Sequence, residues 1–189
     1  HEMGHYAPRE YLKLLHPIGI FSEDTSKHLA FTDQAFATVL EKIRKSRLGI
    51  GKDFIVGISV TAGNKIKEWG TKKFAELANW LSNTYNARII FIGAKSDINI
   101  VRETISFLNG KVSYLDTTGS LSFDEMKAFI SNVNMVISVD SGPIYVAEAF
   151  GVPTVDIIGP IDEREQPPIG EKNVIVVAPN RGKPQLHVM

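Results

Sequence analysis

The chain predicts an α/β fold built on a doubly wound parallel sheet, and three observations carry that prediction. Phe54-Ile55-Val56-Gly57-Ile58-Ser59-Val60 is a near-continuous apolar run, as suits a strand covered on both faces. Several such runs alternate with helical patterns of ~10–14 residues, the rhythm of βαβ units. Polar stretches carrying glycine, serine and aspartate follow the strands, at the edge where open sheets of this class receive ligands. Right-handed crossovers then make a Rossmann-like strand order the expected one.

Taken in order, residues 1–31 read as an arm and residues 32–189 as the domain. In the arm, Tyr11, Leu12, Leu14 and Leu15 suit one short helix before Pro17, and the stretch from Ile18 to Ala30 is mixed and polar. Thr32 is placed to cap a helix from about Asp33 to Lys45, whose Phe36, Val39, Leu40 and Ile43 fall at helical spacing. After the first strand, Thr71 starts a helix carrying Phe74, Leu77, Ala78 and Leu81. Arg88–Gly93 is the second strand; Ile98, Val101, Ile105 and Leu108 mark the next helix; Val112–Leu115 is a weaker third strand. Ser122 and Glu125 form a capping box that opens a helix from Phe123 to Asn132. Met135–Val139 is the fourth strand, followed by a turn and a helix with Val146, Ala147, Ala149 and Phe150 on one face. Gly151 suits the C-terminus of that helix and Pro153 stops it. Thr154–Ile158 and Val174–Val177 are the fifth and sixth strands.

Composition narrows the function. The 189 residues suffice for one domain with a real core, or a domain plus an arm. Hydrophobic content of 43% and charged content of 22% are ordinary for a soluble globular protein. Lys+Arg and Asp+Glu balance at 21 each, so no global basicity argues for nucleic acid. The absence of cysteine rules out a disulfide framework and a cysteine metal site, and fits a reducing compartment. No run approaches the ~18 apolar residues of a membrane span, and no signal peptide is evident. The first residue is His1, which suggests an excised or processed piece of a longer protein.

Four stretches fall on the carboxyl edge of the sheet: Thr61 to Trp69, Gly93 to Asp97, Thr117 to Leu121, and Asp140 to Pro143. In the last, Asp140 and Ser141 are N-cap residue types, Gly142 allows close backbone approach and Pro143 fits a first helical turn. A strand feeding a helix in this way reads either as an anion site on free amides or as an ordinary well-capped turn. The loop Thr61-Ala62-Gly63-Asn64-Lys65-Ile66-Lys67 is neither a G-x-G-x-x-G fingerprint nor a P-loop, which argues against NAD and against P-loop chemistry. Its lysines suit either phosphate or plain solvent. Asp97 suits either a ribose diol or the positive end of a helix dipole. His1-Glu2-Met3-Gly4-His5 matches the H-E-x-x-H pattern of zinc proteases, but Gly4 and Pro8 weaken a helix there and no third ligand is evident, so a frayed arm is the expectation.

Read together, Lys67-Glu68-Trp69, Phe74-Ala75-Glu76-Leu77-Ala78, Phe91-Ile92-Gly93, Asp140-Ser141-Gly142-Pro143 and Ile158-Gly159-Pro160-Ile161-Asp162 resemble the C-terminal half of family 9 glycosyltransferases, the heptosyltransferases of lipopolysaccharide core assembly and their relatives. The arm, with Tyr11-Leu12-Lys13-Leu14-Leu15, Gly19-Ile20 and Asp24, is similar to that family's connector. The resemblance runs from about Glu2 to Ala178. It implies the donor-binding half of a GT-B fold, from an inverting, metal-independent enzyme that needs no cofactor. The donor it implies is a nucleotide diphosphate sugar, commonly ADP-heptose, and the acceptor a lipopolysaccharide-core or other cell-envelope glycan. The implied place of work is the cytoplasm, at the inner face of the membrane.

Residue by residue, the resemblance puts Lys67 on the donor diphosphate and Asp140, Ser141, Gly142 and Pro143 in the turn that holds the phosphates. Thr61 and Gly63 of the first loop are added on residue type alone, a small hydroxyl and a glycine beside lysines that suit phosphate. Asp97 falls where the family usually has a ribose-binding Glu, and Gly119, Ser120 and Leu121 lie beside the nucleobase. The family's general base, an Asp, belongs to an N-terminal domain expected outside this chain, so no catalytic residue is assigned. There are departures: Tyr145 stands where His is frequent, and Val60-Thr61-Ala62 replaces the usual Pro-Gly-Ala. Tyr145 and the altered loop motivate an alternative, a nucleotide-binding module of the same fold without transferase activity. A GT-B nucleotide-sugar epimerase is a third reading, against which Lys67 and Gly159-Pro160 favour the transferase.

Overall fold

The computed structural model describes residues 5–46, 48–179 and 181. Six strands form one sheet: β1 (Ile55–Ser59), β2 (Arg88–Phe91), β3 (Tyr114–Asp116), β4 (Met135–Val139), β5 (Thr154–Ile158) and β6 (Asn173–Val177). Their order is β3-β2-β1-β4-β5-β6, and every neighbouring pair is parallel. The expected Rossmann-like sheet is therefore present. The winding reverses between β1 and β4, which opens a crevice at their carboxyl ends.

Among the described residues, six α-helices accompany the sheet: α1 (Ala7–Leu12), α2 (Asp33–Lys45), α3 (Thr71–Tyr85), α4 (Ile98–Ser106), α5 (Phe123–Ile130) and α6 (Gly142–Ala149). All five residues of β1 are buried, as its unbroken apolar pattern requires. Alternate side chains feed two cores. Val56, Ile58, Ile89, Phe91 and Ile137 pack with Phe74, Ala78 and Leu81 of α3 and Val101 of α4. Ile55, Ile90 and Val136 pack with Val39 and Ile43 of α2, Phe129 of α5 and Ile144 and Val146 of α6. Truncating a fully buried phenylalanine such as Phe74, Phe91 or Phe129 to alanine costs about 3–5 kcal/mol.

The second half of the sheet is less covered. No helix joins β5 to β6, and one face of β4, β5 and β6 borders an apolar groove of about 850 Å³ lined by Trp80, Tyr85, Ile137, Ile157 and Val176 among others. No described helix is long and apolar enough to cross a membrane.

Some expectations shift. The arm's helix starts earlier than expected, at Ala7, because Pro8 sits in its first turn, where a missing N–H costs nothing. After Leu12 the chain tightens into a 3-10 helix, Lys13–Ile18, which contains Pro17, so the single helix expected before that proline is two pieces. The third strand is Tyr114–Asp116, two residues later than expected at its start, at the sheet edge where only β2 holds it. The helix expected to reach Asn132 stops at Ile130. The H-E-x-x-H motif lies outside the described residues except for His5. The arm's described part touches the domain: the Ala7 amide donates to the Glu165 carbonyl at 2.7 Å, and Lys27 pairs with Glu148 at 2.8 Å.

Candidate functional site

The crevice at the winding reversal holds a cleft of about 630 Å³. It is smaller than the apolar groove, but it carries the polar chemistry and lies at the carboxyl ends of the strands, so it is the candidate site. Loops after β1, β2 and β3 and the start of α6 converge on it. Thr61, Gly63, Asp97, Leu121, Ser141 and Pro143, all singled out in the sequence, line it together.

The turn from β4 into α6 is unusual in how little it caps itself. Ser141 is the N-cap, with an extended backbone at φ −154° and ψ 167°, yet its side chain makes no capping bond. Its hydroxyl instead lies 2.7 Å from that of Ser138. Gly142 has no positive φ, so its value is not conformational freedom; nothing lies within 4 Å of where a β-carbon would project. The first turn of α6 thus faces the crevice with bare backbone, where amides and the helix dipole favour an anion.

Both carboxylate oxygens of Asp140 meet side chains. One carboxylate oxygen accepts from Lys67 Nζ at 2.8 Å, and the other accepts from the Tyr145 hydroxyl at 2.5 Å. Asp140 is 4% exposed, and the Lys67 side chain is largely buried with it. The Tyr145 hydroxyl also lies 2.9 Å from the Gln166 carbonyl. Burial, then the charge of Asp140, holds the Tyr145 phenol well above its ordinary range, so it stays a donor. Lys67 sits at the end of a short 3-10 turn, Lys65–Lys67, which Asn64 caps by accepting from the Ile66 amide at 3.2 Å.

Asp97 serves its own turn. Its Oδ2 accepts from the Ala94 amide at 2.7 Å and its Oδ1 from the Ser96 hydroxyl at 3.1 Å. Gly119 and Ser120 do not line the cleft, and neither do Lys67, Asp140, Gly142 and Tyr145, of which Lys67 borders the apolar groove instead. Gly119 has φ +68°, its amide donates to the Gly93 carbonyl at 2.9 Å, and a β-carbon there would come within 3.0 Å of Lys95. Ser120 donates to the Thr117 carbonyl at 2.8 Å. Both shape the loop that presents Leu121.

Sequence reasoning missed several residues. Ser59, Phe123 and Met126 also line the cleft. Phe123 is 63% exposed, and an aromatic directly after a capping serine is the signal that points to it. Asp156, inside the apolar run of the fifth strand, is wholly buried beside this cluster. Among the described residues, no group of three histidines and carboxylates could hold a metal ion.

The family described as glycosyltransferase family 9 (heptosyltransferase) matches residues 8–188. Lipopolysaccharide heptosyltransferase 3 of Escherichia coli is 25% identical over 153 residues, covering 80% of this chain and 44% of that protein. The chain spans less than half the length of the curated relatives it matches. Among solved structures, the glycosyl transferase family 9 protein from Veillonella parvula DSM 2008 superposes with a TM-score of 0.79 at 21% identity, over 89% of this chain and 47% of that one. The E. coli heptosyltransferase WaaC with ADP-2-deoxy-2-fluoro heptose gives a TM-score of 0.58 at 18% identity, over 84% of this chain and 45% of that one. Both likenesses are to the fold.

Proposed function

The chain belongs to glycosyltransferase family 9, and on that premise we propose that it is the donor-binding domain of an inverting, metal-independent glycosyltransferase whose cleft takes a nucleotide diphosphate sugar, ADP-heptose first among candidates. The observation that carries the reading is the N-terminus of α6: Ser141 leaves it without a side-chain cap, Gly142 keeps it bare, and Asp140 is turned to Lys67 and Tyr145. The diphosphate seats on those amides and draws the Lys67 ammonium to itself. Asp97 accepts from the ribose hydroxyls, and Leu121 lies against the base. Fixed amides and an ammonium aimed at the leaving diphosphate stabilise the charge that develops as the sugar departs. A general base and the acceptor site belong to the other half of the parent protein, which works at the inner face of the membrane on a lipopolysaccharide-core or related glycan hydroxyl. That a relative of this fold was solved with an ADP-heptose analogue supports the donor class.

Calorimetry with ADP and AMP, each with and without EDTA, tests the reading. ADP should bind more tightly than AMP, and EDTA should change neither. Equal affinities, or loss of ADP binding with EDTA, would sink it. Tyr145 favours a second reading, a nucleotide-binding module without transfer, because its hydroxyl occupies Asp140. Heptose transfer by the parent protein separates the two.

A further inference from the structure

Asp156 interrupts the apolar run of β5 between Val155 and Ile157. It is 0% exposed, and neither carboxylate oxygen has a hydrogen-bond partner among the described residues. In register it pairs with Ser138 of β4, and Asp140 lies two residues beyond Ser138, continuing the same face of the sheet. The charged and titratable groups around it are few. The β4–α6 turn brings Asp140, the 3-10 turn brings Lys67, and α6 brings Tyr145 and Glu148, the latter paired with Lys27 of the arm. The β6 strand brings none.

Two carboxylates share one ammonium in this cluster. Burial pushes the Asp156 carboxyl up to about 7; the charge of Asp140 adds to the rise, and Lys67 works against it. Whether Asp156 holds a proton therefore depends on where Lys67 is. On the donor reading, which this inference rests on, Lys67 turns from Asp140 to the diphosphate. Asp140 then loses an ammonium, and Asp156 loses a charge that favours its ionised form.

We propose that Asp156 is a positioning residue for donor binding: as Lys67 leaves Asp140, Asp156 takes up one proton, and its carboxylic O–H replaces the ammonium as donor to Asp140. The balance is a single proton moved from solvent to an Asp156 oxygen, with no bond of the donor changed. The exchange keeps Asp140 held back from the phosphates that a free carboxylate would repel.

The test is titration calorimetry of the whole chain with ADP at about pH 8, where the phosphate's own second ionisation, near 6, is complete. Repeating it in buffers of different ionisation enthalpy reads the protons exchanged. The wild type should take up close to one proton near pH 8 and less near pH 6, where Asp156 already holds it. Its affinity should fall toward tenfold per pH unit above about pH 7. Asp156→Asn, whose amide donates to Asp140 at every pH, should bind ADP with no uptake and a flat profile over this range. ADP binding by the wild type with no uptake near pH 8 overturns the inference while leaving the donor reading intact, and needs no variant. Equal uptake by Asp156→Asn overturns it as well. No ADP binding by either protein removes the donor reading and the inference together.

Discussion

The turns after β2 and β4 use the same residue types and reach different ends. Each places an aspartate near the start of a helix. Asp97 closes its own turn, accepting from the Ala94 amide and the Ser96 hydroxyl within three residues of itself. Asp140 reaches outward, to Lys67 73 positions away in sequence and to Tyr145 across the first turn of α6. The first arrangement satisfies local backbone; the second leaves the α6 N-terminus without a side-chain cap. An aspartate at a helix start is thus no signal of a ligand by itself. What distinguishes the two turns is which amides remain for something else to bind.

The largest effect should come from filling the bare turn. Gly142→Val projects a side chain into open space from a backbone that needs no positive φ, so the domain should melt near the wild-type temperature while ADP binding is abolished. Binding at wild-type strength would place the phosphates elsewhere and erase the contrast between the turns. Next in size is a pH effect, since a titratable carboxyl lies buried near Asp140. The Asp156 carboxyl is raised from 3.8 to about 7, so its contribution to stability is complete below about pH 4 and is lost as pH rises to about 7. The loss approaches about 1.4 kcal/mol per pH unit across that window. Urea unfolding at several pH values should show Asp156→Asn lacking this slope. A slope shared by both proteins would assign it to other groups.

Lys67→Ala comes third. Charge-assisted hydrogen bonds are worth roughly 1.5–3 kcal/mol, so ADP affinity should drop about tenfold or more. The melting temperature should drop too, because Asp140 loses its ammonium in a buried place. Unchanged affinity would leave the ion pair as architecture alone. The smallest effect belongs to Asp97→Ala, which removes an acceptor for the Ala94 amide at a cost of about 1 kcal/mol. If its carboxylate also accepts from ribose, ADP should weaken several-fold while 2′,3′-dideoxy-ADP does not. Equal behaviour of the two nucleotides would make Asp97 a turn residue only and sharpen the comparison.

Much of the fold was legible because its determinants are local. Unbroken apolar runs marked the buried parallel strands, and Thr32 and Ser122 marked helix starts that the structure places at Asp33 and Phe123. The edge strand β3 was less so: paired on one side only and half-exposed, it has a weaker pattern to read. In the site, the sequence located the four converging loops, since topology alone brings strand ends together. It could not show which oxygen meets which nitrogen. The Lys67–Asp140 pair spans two βαβ units, and Asp97 looked as available as Asp140 until its own turn was seen to occupy it. Asp156 did leave a signal, a charged residue inside an apolar strand, where burial without a partner is costly.

The thinly covered half of the sheet has a calorimetric consequence. Trp80, Tyr85 and Val176 stay about half exposed around the groove in the folded chain. The heat capacity of unfolding tracks the apolar surface newly wetted, and surface already wet contributes nothing. A 189-residue chain of average coverage would show an increment of roughly 2.3–2.8 kcal/mol/K. This chain should fall below that range, with a stability curve correspondingly flatter against temperature and a shallower dependence on urea.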